Sequence, residues 1–253
     1  MILAFVLLAD DRLPKEQDVV SEFTNYATGE QRLVPMPATE ASAKGALAFE
    51  LHPAGTGLVV GMPAPVPEGE ADKAARFSVS ALGTGWTLPE HKSHLAVVLH
   101  GTENCSAVDA LSAFTSFVAA VAAASNSVGV YWGGAGATHD VEFLKSVAQE
   151  PGITPRIMLW NGVGIGNESD GRLGLLSMGM KQLGLPNLYL RTRESEGNDT
   201  LAVFFDLLSY LAERGEPLPD GDTVGRTADE HLPVRYVPSP IDPSVEVWLV
   251  ELP

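Results

Sequence analysis

Residues 46–62 read ALAFELHPAGTGLVVGM. Two apolar runs, Ala46 to His52 and Gly57 to Met62, flank Pro53-Ala54-Gly55, a turn by its residue types. The segment therefore predicts a β-hairpin. Pro63, Pro65 and Pro67 end its second strand, because proline cannot donate to a strand ladder. Upstream, Ile2 to Ala9 is a continuous apolar run that predicts a buried strand. Pro14 suits a first helical position, and Val19, Val20, Phe23, Tyr26 and Ala27 recur at helical spacing, which predicts a helix over 14–27. Downstream, 70–82 reads as a helix and 95–99 as a further buried strand. The order strand, helix, strand, strand, helix, strand is that of a ferredoxin-like unit.

The second half mixes the two element types in similar numbers. Ala107 to Ala124 is apolar almost all round and predicts a deeply buried helix. Val128 to Trp132 reads as a strand. Thr138 is placed to cap a following helix, with Asp140 and Glu142 in its first turn, Val141, Leu144 and Val147 as its core stripe and Pro151 as its stop. Arg156 to Trp160 and Leu188 to Arg191 read as strands. Leu173 to Leu183 is ambiguous, because Gly174 and Gly179 weaken a helix. Asp199 to Arg214 is the clearest helix, capped by Asn198 or Asp199, lined by Leu201, Phe204, Phe205, Leu208, Leu211 and Ala212, and stopped by Gly215. Pro233 to Val237 and Val245 to Val250 read as the last strands. The fold class is α+β, with mixed or antiparallel sheets and packed helices in two ferredoxin-like halves. An N-terminal subdomain covers 1–101 and a C-terminal one 102–253, with a single compact unit as the alternative.

The chain of 253 residues carries 32 acids against 16 bases, a net charge of −16, and is 45% hydrophobic. It can therefore bury a core, and its charge argues against nucleic acid and anionic lipid as partners. The excess is uneven. Residues 1–101 hold 12 acids and 7 bases, 102–193 hold 7 and 6, and 194–253 hold 13 and 3. One cysteine, Cys105, leaves no disulfide framework. The apolar start lacks a basic residue, and the 107–124 run is interrupted by Asp109, Ser112, Thr115 and Ser116. Neither reads as a signal or a membrane span, so the expected location is the cytoplasm.

Catalytic signals are weak. His91, His94 and His100 lie close in sequence, but His94 and His100 would stand roughly 20 Å apart on one strand at ~3.3 Å per residue. No cysteine or carboxylate completes a metal set, so neither a metal nor a cofactor is expected. Gly162-Val163-Gly164-Ile165-Gly166 lacks the third-glycine spacing of a dinucleotide fingerprint, and Glu168 and Asp170 would repel phosphate. A hairpin or loop is expected there. Cys105 near a helix start has no placeable histidine base, and there is no G-x-S-x-G elbow. No residue is assigned a catalytic role. A ligand pocket is the candidate use of Tyr131, Trp132, Trp160 and Asn161 beside the 162–166 glycines, since aromatics followed by glycines can floor one.

The stretch Asp170-Gly171-Arg172-Leu173-Gly174-Leu175-Leu176-Ser177-Met178-Gly179-Met180-Lys181-Gln182-Leu183-Gly184-Leu185-Pro186-Asn187-Leu188 resembles a bacterial family known as domain of unknown function 4261. Gly221 to Gly225, Val234 to Ser239, His94 and Val130 to Gly133 are similar to the family too, so the resemblance spans roughly 90–250. Asn187 stands where the family leads one to expect an acid. The resemblance implies no agreed activity. It implies a group found near bacterial toxin, secretion and immunity genes, which favours binding over catalysis. The leading expectation is a non-enzymatic binding protein, an immunity-type inhibitor whose acidic Glu194, Glu196, Asp199, Glu213, Glu216, Asp220 and Asp222 engage a basic toxin or effector. The alternatives are an enzyme or small-ligand protein using the pocket, and a homodimer joined through a sheet edge or the 107–124 helix.

Overall fold

A computed structural model describes residues 1–37, 45–193, 197–225, 227 and 229–253. In chain order these form β1 (Ile2–Leu8), α1 (Glu16–Phe23), β2 (Arg32–Pro35), β3 (Ala46–His52), β4 (Gly55–Met62), α2 (Glu70–Ala74), α3 (Val79–Thr84), β5 (Ser93–His100) and α4 (Ala107–Ala123). Then follow β6 (Ser127–Trp132), β7 (Ala137–His139), α5 (Val141–Gln149), α6 (Ile153–Trp160), β8 (Gly162–Asn167), β9 (Leu173–Met178) and β10 (Leu188–Thr192). The chain ends with α7 (Gly197–Arg214), β11 (Thr223–Val224), β12 (Leu232–Pro233), β13 (Arg235–Pro238) and β14 (Glu246–Glu251). The protein is α+β, built on two main sheets.

The first sheet has the strand order β2-β3-β4-β5-β1-β6-β7, with every neighbouring pair antiparallel. The expected β3–β4 hairpin forms, pairing Ala46 with Val60 and Leu51 with Gly55. The ferredoxin-like arrangement does not form. There, the first strand would lie beside the third; here β1 lies between β5 and β6, and β4 pairs with β5 instead. An order of element types is compatible with several pairings, and the two extra strands β6 and β7 extend this sheet from beyond residue 126. Strand β1 is apolar throughout because both of its faces are covered. Ala4, Val6 and Leu8 enter the main core, and Leu7 joins a second cluster with Val66, Ala71, Ala74 and Tyr131.

The second sheet has the order β13-β14-β10-β9-β8 and is mixed, β10 and β14 being parallel. Helix α4 is the central pillar. Ser106 caps it through Oγ, which accepts from the Asp109 N–H. Twelve of its residues are buried, among them Phe114 and Phe117, which meet Trp132 and Phe49 edge-on. Each such ring contributes about 1.5–3 kcal/mol by burial. One buried cluster runs from Val6 through Phe117 to Trp248, so residues from both halves share a continuous core. The apolar surface of α4 is thus covered within its own chain.

Four local expectations are corrected. Residues 156–160 belong to helix α6 and not to a strand: Ile153, Ile157 and Trp160 are buried at helical intervals, and Pro155 falls in the first turn, where its missing N–H is tolerated. Thr138 lies in β7 and does not cap α5; Asp140 occupies the cap position, and the Thr138 hydroxyl donates to the Ala71 carbonyl. The helix expected over 70–82 is broken into α2, a 3-10 turn at Ala75–Phe77 and α3, because extended Ser78 interrupts it and caps α3 through the Ser80 N–H. The ambiguous 173–183 segment resolves into β9 and a 3-10 turn at Met180–Leu183. Gly179 joins them at φ 152, with the Trp160 carbonyl where a Cβ would stand. Helix α7 begins at Gly197, so Asn198 and Asp199 stand inside it, not before it.

Candidate functional site

The aromatic set expected to floor a pocket is divided. Trp132 and Trp160 are fully enclosed and line neither of the two cavities described below. The Trp132 Nε1–H donates to Gln182 Oε1, Gln182 Nε2 donates to the Trp160 and Gly179 carbonyls, and the Trp160 Nε1–H donates to Thr115 Oγ1 at 2.9 Å. These bonds lock α4, α6, β6 and the 180–183 turn together. Asn161 is also fully buried; its amide donates to the Ile157 carbonyl, and its Oδ1 has no partner among the described residues. Tyr131 alone of the set reaches a cavity, one of about 570 Å³ beside Glu70, Gly133, Gly134 and Gln182. Its hydroxyl donates to Glu70 Oε1 at 2.6 Å, and burial, reinforced by that carboxylate, raises its pKa.

The glycines of 162–166 lie elsewhere, in strand β8, which forms a hairpin with β9. Gly164, Gly166 and Gly174 face a groove of about 420 Å³ closed by Phe77 and Tyr189. Beside it, two arginines and three carboxylates form a network. Arg191 Nη2 lies 2.5 Å from Glu168 Oε2, Arg172 Nη2 lies 2.6 Å from Asp170 Oδ2, and Arg172 also contacts Glu251. The Tyr189 hydroxyl donates to Glu168, which holds the ring over Gly174.

Two of the three clustered histidines have structural partners. His91 Nε2 accepts from the Val66 N–H, and His94 Nδ1 meets the Ala64 carbonyl at 2.8 Å; burial lowers the His94 pKa. His100 is exposed at the end of β5. Among the described residues no group of three or more His, Cys, Asp or Glu could hold a metal ion. Burial raises the Cys105 pKa, with Asp109 adding to the effect. Sequence reading passed over a serine–histidine pair that spans 61 residues: Ser78 Oγ lies 2.8 Å from His139 Nδ1, and His139 Nε2 donates to the Leu159 carbonyl at 3.0 Å. That tautomer makes Nδ1 the acceptor of the Ser78 hydroxyl. The pair is fully buried, and it ties α3 to β7 and α6. Arg156 was also missed; it is buried, has no ion pair among the described residues, and donates to the Ser112 and Ala148 carbonyls, the latter at the C-terminal end of α5.

Of the acidic set, Glu194 and Glu196 lie outside the described residues. Asp199, Asp206 and Glu213 recur every seven residues along α7 and are all exposed. Seven residues is close to two helical turns, so they form one stripe. Ala202 and Tyr210 share that face, and Tyr210 is 47% exposed. Glu216 and Asp220 continue the acidic surface beyond the helix, while Asp222 is half-buried. Asp220 Oδ1 accepts from the Tyr236 N–H and Asp222 Oδ1 from the Thr223 N–H. None of these six acids has an ion pair among the described residues.

Among the described residues no helix is long and apolar enough to cross a membrane. No curated protein and no solved structure matches the chain. The matched family segment is narrower than the sequence motifs suggested, since His94 and Val130 to Gly133 fall outside it. Asn187, where an acid was expected, serves the local backbone instead, and its Oδ1 accepts from the Gly179 and Met180 N–H groups at the start of the 180–183 turn. From Leu176 in β9 to Glu251 in β14, this chain matches the family described as Domain of unknown function (DUF4261), over residues 176–251.

Proposed function

We propose that this chain is a non-enzymatic, cytoplasmic binding protein whose α7 face docks a basic protein, and that it acts as an immunity-type inhibitor of a basic toxin or effector. The observation that carries this reading is the stripe of Asp199, Asp206 and Glu213 with Tyr210 among them, exposed and without ion pairs among the described residues. Unpaired carboxylates on a rigid helix favour encounter with a positive surface, and an exposed tyrosine supplies an anchor that can stack on arginine or lysine. The test compares the chain with a D199N/D206N/E213Q variant as bait, in lysate of the cells that produce it, at low salt and at 0.5 M salt. The expected result is one basic protein held by the native chain at low salt, released by high salt and absent from the variant. Recovery of the same proteins on both baits, or of none, overturns the proposal.

A further inference from the structure

We propose that the groove between the Ala75–Phe77 turn and the outer face of the β8–β9 hairpin binds a small amphipathic anion: an apolar ring or chain bearing one carboxylate or sulfonate. Its floor is made by omission. Side chains alternate along a strand, so Gly162, Gly164 and Gly166 point to one face. Gly166 is opposite Gly174, and Gly164 is opposite Leu176. A Cβ on Gly166 would meet nothing within 4 Å, and one on Gly164 would make only ordinary contact with Leu176, at 3.8 Å or more. Neither residue has a positive φ. Neither packing nor backbone conformation therefore demands these glycines, although glycine in an element interior costs about 0.5–1 kcal/mol relative to alanine. Strand glycines facing open space mark a place where something else approaches the backbone.

The walls fit an apolar body. Phe77, Leu176 and Tyr189 line it, and Ile241, which is 70% exposed, stands at its mouth. Covering so exposed an aliphatic side chain with a ligand gains about 25 cal/mol per Å². The volume, about 420 Å³, suits a small ligand.

The charge fits an anion. The Arg76 guanidinium lies 4.6 Å over the Phe77 ring and has no ion pair among the described residues. The acid in the same lining, Glu168, is already occupied by Arg191 and the Tyr189 hydroxyl. Arg76 is therefore the cation left for a ligand, already oriented by stacking, with a planar fork that matches a carboxylate or sulfonate.

The test is a pair of fluorescent probes with nearly the same apolar body: 8-anilinonaphthalene-1-sulfonate, which is anionic, and N-phenyl-1-naphthylamine, which is neutral. Each is titrated into the whole chain and into Gly166→Val and Arg76→Gln, with thermal melting as the check on folding. Both probes should saturate one site on the native chain. Gly166→Val, which fills open space, should melt no lower and weaken both probes at least ~10-fold, whereas Arg76→Gln should weaken only the anion by about tenfold. If Gly166→Val does not fold, the smaller Gly166→Ala replaces it with a partial loss expected. Absence of saturable binding, equal binding to folded native and glycine-substituted chains, or equal losses of both probes in Arg76→Gln overturns the proposal. The α7 proposal is untouched by any of these results.

Discussion

His139 is the group whose perturbation can be worked furthest. It is fully buried, and burial lowers its pKa from 6.5 to about 4, against the smaller opposing pull of the Leu159 carbonyl. Between those values the unfolded chain binds a proton that the folded chain refuses, so acid favours unfolding. The stabilisation is complete above the unfolded value of 6.5 and is lost as pH falls toward 4. For one group with these two values, the loss is small at pH 7 and about 2 kcal/mol at pH 5. The comparison protein is His139→Gln, which retains an amide donor for Leu159 and cannot titrate. Urea unfolding of both proteins at pH 7 and pH 5 isolates the contribution of His139, since carboxylates and the other histidines are common to both. The native chain should lose about 2 kcal/mol more than the variant over this interval. Equal losses would refute the reasoning: His139 would then exchange protons with solvent in the folded state, and the Ser78–His139–Leu159 chain would be open.

Three further outcomes follow from packing. Gly179→Ala should cost more than about 3 kcal/mol, read as a lowered melting temperature or loss of folded protein, because φ 152 excludes a side chain and the Trp160 carbonyl occupies the Cβ position. Trp160→Phe should cost about 1–3 kcal/mol in urea unfolding, since it removes the donor to Thr115 in a fully enclosed site. Cys105 should react with a disulfide reagent more slowly at pH 7.5 than free cysteine, and Asp109→Asn should accelerate it, because burial first and Asp109 second raise its pKa.

Elements whose pattern repeats locally were legible in the sequence. The β3–β4 hairpin announces itself through its turn, and α4 and α7 through length and periodicity. The α6 segment was not, because a four-residue apolar run such as Ile157 to Trp160 satisfies a buried strand and a buried helix alike. Only the positions outside it, Ile153 and Pro155, separate the two. The ferredoxin-like pairing failed for a different reason. Strand order depends on which edges the rest of the chain covers, and β6 and β7 cover the edge of β1 from beyond residue 126.

The functional groups divide along the same line. The acid excess of 194–253 is a one-dimensional property and is legible in the sequence, whereas the stripe of Asp199, Asp206 and Glu213 is defined by helix α7. The groove is not one-dimensional. Arg76 and Phe77 meet strand β8 across more than eighty residues, and they do so because Ser78 breaks the helix expected over 70–82 and turns the preceding residues toward the hairpin. No local rule identifies Gly164 and Gly166 as a floor until Phe77 and Tyr189 stand over them. The spacing of the 162–166 glycines does not suit phosphate binding. Their structural effect is the reverse of a backbone cradle: what they contribute is missing side chains. Filling that space at Gly166 distinguishes a trough that serves a ligand from one that merely remained empty, because on a strand without positive φ the valine has only the ligand to displace.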